Sequence, residues 1–144
     1  MKIIADTCIW SLALRRNESK SSYLVDELSE LILEVRVQLI GPIRQELLSG
    51  IKSTAQFNKL KKHLSAFPDL PLLSNDFELA AEFFNLARSK GIQGSNTDFI
   101  ICSLAYSHKM SIFTTDKDFE SYASVLPIKL YEPKMQSKNI IKNP

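Results

Sequence analysis

Four carboxylates in this sequence fall where they could do chemistry together. Asp6 ends the opening apolar run KIIA, and Glu46 lies in PIRQELL, just after the run VQLI. Asp98 opens the apolar stretch TDFIICSLA, and Asp116 follows SIFTT. Hard cations such as Mg²⁺ and Mn²⁺ prefer carboxylate oxygens and water as ligands. Two such ions can activate a water and stabilise the departing oxygen in phosphodiester cleavage. Each acid also has a plainer use. Asp6 can cap a helix beginning at Thr7 or Cys8, and Asp98 can be the acid of a capping box in Ser95-Asn96-Thr97-Asp98. Asp116 can cap a short helix after it, and Glu46 can be one more exposed helical glutamate. Those uses, taken one by one, leave the recurrence of acids at one edge of the fold unexplained.

That edge is set by the elements. Residues 2–5, 37–40, 70–73, 111–115 and 128–131 read as short strands. Residues 8–15 and 20–35 read as helices; in the second, Leu24, Leu28, Leu31, Ile32 and Val35 recur at helical spacing. Gly41-Pro42 breaks the second strand, and Pro42 suits the first turn of a helix running to Gly50. A Lys-rich helix follows over 53–65. Ser74 or Asn75 is expected to cap a helix through Lys90, with Leu79, Ala80, Phe83, Phe84 and Ala87 as its apolar stripe. Ser95 is expected to cap a helix reaching Ser107, and another short helix starts at Lys117. Strands alternating with helices predict an α/β fold with a parallel sheet between two helical layers. In such a sheet ligands collect at the carboxyl ends of the strands. Asp6, Asp98 and Asp116 lie at or near that edge, and Glu46 reaches it if its helix starts there.

The chain has 144 residues, the size of one domain, with 44% hydrophobic and 24% charged residues. We expect one domain over 1–132 and a patternless tail over 133–144. Net charge is +2, from 18 basic and 16 acidic residues. With the four acids neutralised by cations, the remaining surface is basic, which suits a phosphate-rich partner. Cys8 and Cys102 form no CxxC, and His63 and His108 make no zinc constellation. No apolar run approaches the ~20 residues of a membrane span. MKIIADTCIW reads as a strand start rather than a signal peptide, so a reduced, cytoplasmic setting is expected.

Four segments resemble the PIN-domain family, and within it the VapC-like toxins. MKIIADTCIWSLAL resembles the opening strand with its metal-binding Asp and Thr; IGPIRQELLSG resembles the strand-to-helix segment with Glu before Leu-Leu. TDFIICSLA resembles the Asp-led helix with small residues, and IFTTDKDF the final strand with Thr-x-Asp-x-Asp-Phe. The four lie in family order. The resemblance implies a PIN-like three-layer α/β/α sandwich with a mainly parallel sheet of about five strands. It implies Mg²⁺ or Mn²⁺ dependence and endonucleolytic cleavage of single-stranded or looped RNA. It places the metal ligands at Asp6, Glu46, Asp98 and Asp116, with Asp118 as a further acid and Thr7 and Thr114 as supporting polar neighbours. It implies the toxin of a toxin–antitoxin pair, restrained by a small VapB-like antitoxin and forming a homodimer. Many relatives carry another acid just before the third Asp; here Asn96 and Thr97 stand there, leaving one or two metal ions open. A housekeeping RNA-processing nuclease and a non-catalytic RNA-binding domain are the alternative readings.

Other motifs carry less. No GxGxxG or P-loop points to a nucleotide cofactor. Asp116-Lys117-Asp118 does not follow the first strand, as a phosphatase pair would. Lys52, Lys59, Lys61, Lys62, Arg15 and Arg16 can grip phosphates or simply be solvated. Trp10 and Phe99 occupy helical positions that favour core packing over base stacking.

Overall fold

The computed structural model describes residues 1–14 and 22–134. Its elements are β1 (Ile3–Ala5), α1 (Thr7–Leu14), α2 (Ser22–Leu33), β2 (Val37–Gln38), α3 (Gly41–Leu48), α4 (Thr54–Leu64), α5 (Ser74–Ser89), α6 (Asn96–Ser107), β3 (Ser111–Phe113), α7 (Asp118–Val125) and β4 (Lys129–Leu130). The strands form one sheet in the order β2-β1-β3-β4, with every pairing parallel. Helices flank the sheet, so the expected α/β architecture holds. Ile3, Ile4 and Ala5 of the central β1 are all buried, as a strand covered on both faces requires.

The strand order decides where a ligand can sit. From β1 the chain moves to β2 on one side, then crosses to β3 on the other. The reversal opens a crevice outside the carboxyl ends of β1 and β3, the usual ligand position in open α/β sheets. The Asp6 amide extends the pairing one step, donating to the Phe113 carbonyl at 2.9 Å. Asp6 is thereby fixed beside the residues that leave β3.

Among the described residues four strands stand where about five were expected. The segment 70–73 forms no strand: a single parallel bridge joins Leu39 to Asp69, and the Leu70 amide donates to Leu39. Pro68 precedes this segment and Pro71 lies within it; neither supplies an amide hydrogen, which limits any ladder there. Arg44 holds the loop instead, bonding both Asp69 oxygens and the Leu64 and Phe67 carbonyls.

Two other expectations shift. The second helix ends at Leu33, and Val35 lies outside it with φ 56°, exposed rather than on the apolar stripe. The cap of α5 is neither Ser74 nor Asn75 but Leu73, whose amide donates to the Asp76 carboxylate. Gly50 does end α3 in the left-handed region, at φ 85°. Helix α6 buries Phe99, Ile101, Cys102, Leu104 and Ala105 and packs against both α5 and β3. At roughly 1.5–3 kcal/mol for each large apolar side chain, this burial fixes the helix firmly. Its first turn is thus a rigid platform. No helix among the described residues is long and apolar enough to cross a membrane.

Candidate active site

Asp6 leaves β1 and points its carboxylate into the crevice. Oδ1 accepts from the Thr7 amide at 2.8 Å, and Oδ2 accepts from the Thr114 hydroxyl at 2.9 Å. A helix cap would accept from the second or third helical amide. Here one oxygen takes the first amide and the other a hydroxyl from the far side of the crevice. Thr114 Oγ1 also accepts from the Asp116 amide at 3.0 Å, which ties the β3–α7 turn to Asp6. The Cys8 thiol reinforces the same junction, lying 3.4 Å from Thr114 Oγ1 and accepting from the Thr115 amide and hydroxyl.

Glu46 comes from α3, whose N-terminus lies just beyond β2, and the Thr7 hydroxyl donates to its Oε1 at 3.3 Å. Thr7 and Thr114 therefore join Glu46, Asp6 and the Asp116 turn into one continuous set. Asp98 faces them from the first turn of α6. Ser95 caps that helix by accepting from the Asp98 amide at 3.1 Å. The Asp98 carboxylate does not fold back to complete a capping box. Its Oδ2 accepts from the Tyr122 hydroxyl of α7 at 2.6 Å.

Asp116 keeps part of its plainer use, since Oδ1 accepts from the Asp118 amide at 2.9 Å and supports the start of α7. Asp118 is exposed at the same helix start. It lies near enough to the Tyr122 phenol to add to the rise in that group's proton affinity, which burial chiefly causes.

The proton affinities show that the acids feel one another. Asp6 is raised above the ordinary aspartate range, first by burial and then by the charges of Asp98 and Asp116; its bonds from Thr114 and Thr7 oppose the rise. Glu46 is raised by partial burial and by Asp6 and Asp98, against the bond from Thr7. Burial also pushes up the Cys102 thiol beneath the cluster, with Asp98 and Asp6 adding to it. The N-termini of α1, α3, α6 and α7 all lie at this edge, and their dipoles partly offset the gathered negative charge.

The donor set is oxygen only, which suits Mg²⁺ or Mn²⁺. Among the described residues, no three His, Cys, Asp or Glu side chains form a ready metal cage. Mg²⁺ does not need one, because it keeps several waters and takes one or two protein carboxylates. An open, mutually repelling set of oxygens fits that habit.

Other residues weighed as RNA contacts lie in the core or on the surface. Trp10 is buried against Phe67, and Phe99 against Phe84 and Tyr122, so both are core. Lys52, Lys59, Lys61 and Lys62 are exposed on or beside α4, and His63 and His108 are surface residues. Arg15 and Arg16 lie outside the described residues. Sequence reasoning misses Tyr122, Gly94 and the role of Cys8. A buried tyrosine hydroxyl must find a partner, which is the one signal that singles out Tyr122 once α7 is placed.

The PIN domain model matches residues 3–125. No curated protein sequence matches the chain closely. Solved structures share its fold, three of them as follows. FitAcB from Neisseria gonorrhoeae superposes with a TM-score of 0.73 at 23% identity, covering 91% of this chain and 97% of that one. FitAB bound to an IR36 DNA fragment gives 0.73 at 23%, covering 91% and 94%. VapBC2 from Rickettsia felis, bound to a DNA fragment from its promoter, gives 0.73 at 18%, covering 91% and 98%.

Proposed function

The chain belongs to the PIN-domain family, and from that premise we propose that it is a Mg²⁺- or Mn²⁺-dependent endoribonuclease, the toxin of a toxin–antitoxin pair. One observation carries the reading: Asp6, Glu46, Asp98 and Asp116 converge on one crevice, linked by Thr7 and Thr114. Strand ends and helix caps do not require that convergence, whereas a phosphodiester and its cations do. Asp6, Glu46, Asp98 and Asp116 would hold the cation, with Asp118 as a further acid. The chemistry a bound cation supplies is a more acidic water and a Lewis acid at the phosphate.

The residues of the chain do the positioning. Thr114 fixes one Asp6 oxygen and the amide of Asp116 together, so the two acids keep their spacing. Thr7 presents Glu46 toward them. Among the described residues, no serine or histidine in the crevice is paired with an acid; the Cys8 thiol lies 3.7 Å from Asp6 Oδ2 but is tied into the turn by Thr114 and Thr115. Attack on the phosphorus by a cation-activated water, with the bond to the 3′ oxygen breaking, would leave a 5′-phosphate and a 3′-hydroxyl.

The toxin reading draws on the motifs shared with VapC-like toxins and on the VapBC2 and FitAB structures of like fold. On that reading the chain is cytoplasmic, forms a homodimer and is restrained by a small antitoxin. The test is cleavage of a single-stranded and a looped RNA by the purified chain, with Mn²⁺ and with EDTA, followed by end-group analysis. Metal-dependent cutting with 5′-phosphate ends supports the assignment. Cutting that survives EDTA, or 2′,3′-cyclic phosphate ends, overturns it. Growth arrest on expression, relieved by the protein of an adjacent short gene, tests the toxin role; harmless expression points to housekeeping processing.

A further inference from the structure

Helix α7 carries a residue whose hydroxyl is spent on Asp98. Tyr122 is fully buried, yet its ring ends at the crevice. The ring packs edge-on against Phe119 and tilted against Phe99, with both centroids 5.0 Å away. Packing would be equally well served by phenylalanine. The hydroxyl is what differs, and it is spent on Asp98 Oδ2 at 2.6 Å.

The backbone leaves space for that hydroxyl. A Cβ on Gly94 would lie 2.3 Å from the Tyr122 hydroxyl oxygen and 2.7 Å from its Cζ. Gly94 has no left-handed φ, so conformational freedom does not explain it. It is required by the close approach of the phenol. Gly94 also directly precedes Ser95, the cap that fixes the start of α6. The same short stretch thus sets the helix start that carries Asp98 and leaves room for the group that orients it.

We propose that Tyr122, seated against Gly94, is a positioning residue that locks the Asp98 carboxylate so that Oδ1 alone is offered to the cation. The proposal rests on the metal-site reading of the crevice. A carboxylate on a helix can rotate about its last bond, and in a cluster of acids it will turn away from its neighbours. One fixed oxygen removes that freedom. Groups that orient a metal ligand in this way typically contribute about 10–100-fold in metal affinity or activity.

The test compares Tyr122→Phe, Gly94→Ala and Asp98→Asn by titration with Mn²⁺, followed by electron paramagnetic resonance of the free ion. Tyr122→Phe keeps the ring and removes only the hydroxyl. Its Mn²⁺ dissociation constant should rise by about 10–100-fold. The Mn²⁺ concentration for half-maximal cleavage should rise in step, while KM for RNA at saturating metal stays put. The near-ultraviolet dichroism of the buried Trp10, read at the red edge where tyrosine does not absorb, should be that of the wild type. Gly94→Ala displaces the hydroxyl without deleting it and should weaken Mn²⁺ to a similar extent. If Asp98→Asn loses Mn²⁺ while Tyr122→Phe and Gly94→Ala bind it as the wild type does, the positioning role is overturned and the metal site stands. If Asp98→Asn also binds like the wild type, the metal-site reading itself fails. A weakened Tyr122→Phe whose Trp10 dichroism has collapsed makes Tyr122 merely a packing residue, which also overturns the proposal.

Discussion

Helices α5 and α6 begin in the same register and use their third residue in opposite ways. Asp76 and Asp98 both stand three positions after the cap, Leu73 in one helix and Ser95 in the other. Asp76 bends back, buried, and accepts from the Leu73 amide at 2.8 Å. There it satisfies the amide of the cap residue itself. At α6 the Ser95 hydroxyl already satisfies an orphan amide. The Asp98 carboxylate is released from capping and turns to Tyr122 and the crevice. The third-position acid is spent on its own helix start in α5 and on a neighbouring helix in α6.

The sharpest way to break this comparison is activity. Asp98→Asn should lower RNA cleavage by roughly 10³-fold, the scale on which losing a single electrostatic stabiliser is felt. Asp76→Asn should cut RNA like the wild type. Equal losses in both would mean that the two acids are alike and that Asp98 is a cap. Metal-dependent stability separates them next. A ligand that binds only the folded state at a hundredfold excess over Kd stabilises by about 2.7 kcal/mol. Thermal melting with Mn²⁺ against EDTA should show that gain in the wild type and in Asp76→Asn, and much less of it in Asp98→Asn.

The threonine link sharpens the point. Thr114→Val removes the donor to Asp6 Oδ2 and the acceptor for the Asp116 amide. Cleavage should fall about 10–100-fold, as it does when a ligand's orienting partner is lost. Unaltered turnover in that variant would show that Asp6 needs no such support. Asp76→Ala is expected to cost about 1 kcal/mol in urea unfolding, with or without metal, as a lost cap does.

The smallest effect is in pH. Asp6 binds its proton more tightly in the folded chain than its ordinary value of 3.8 would give, chiefly through burial. An acid raised on folding makes stability fall as pH rises from the unfolded value through the folded one. In EDTA, wild type should therefore lose stability relative to Asp6→Asn between about pH 4 and neutrality. A difference between the two proteins that stays flat over that range would show that Asp6 is not strained by its surroundings.

Much of this arrangement is legible in the residues alone. Apolar runs ending in Asp6 and leading to Asp116 mark two strand ends, because a parallel strand must be buried on both faces and its end must carry the first polar residue. Helices are legible where a cap and a stripe agree, as at Ser95. Legibility fails where a local pattern has two uses. Leu70–Leu73 has the composition of a strand, but Pro68 before it and Pro71 within it supply no amide hydrogens, which limits any ladder there. Val35 continues a helical stripe on paper, yet the chain must turn there to enter β2, and it does so at φ 56°. Tyr122 is invisible in sequence because its meaning depends on Asp98 and Gly94, on a different helix and the loop before it.

The bond from Thr114 to Asp6 joins residues 108 positions apart. A ribosome adds residues at roughly 5–20 per second, and the amino-terminal part of a chain emerges first. Asp6 and Glu46 therefore leave the ribosome long before the strand that must slide in beside β1 to bring Thr114 and Asp116. Tyr122 arrives later still. For a chain proposed to cut RNA, itself made on an RNA template, the order of synthesis is a safeguard: the blade is completed only once β3 and α7 have been made.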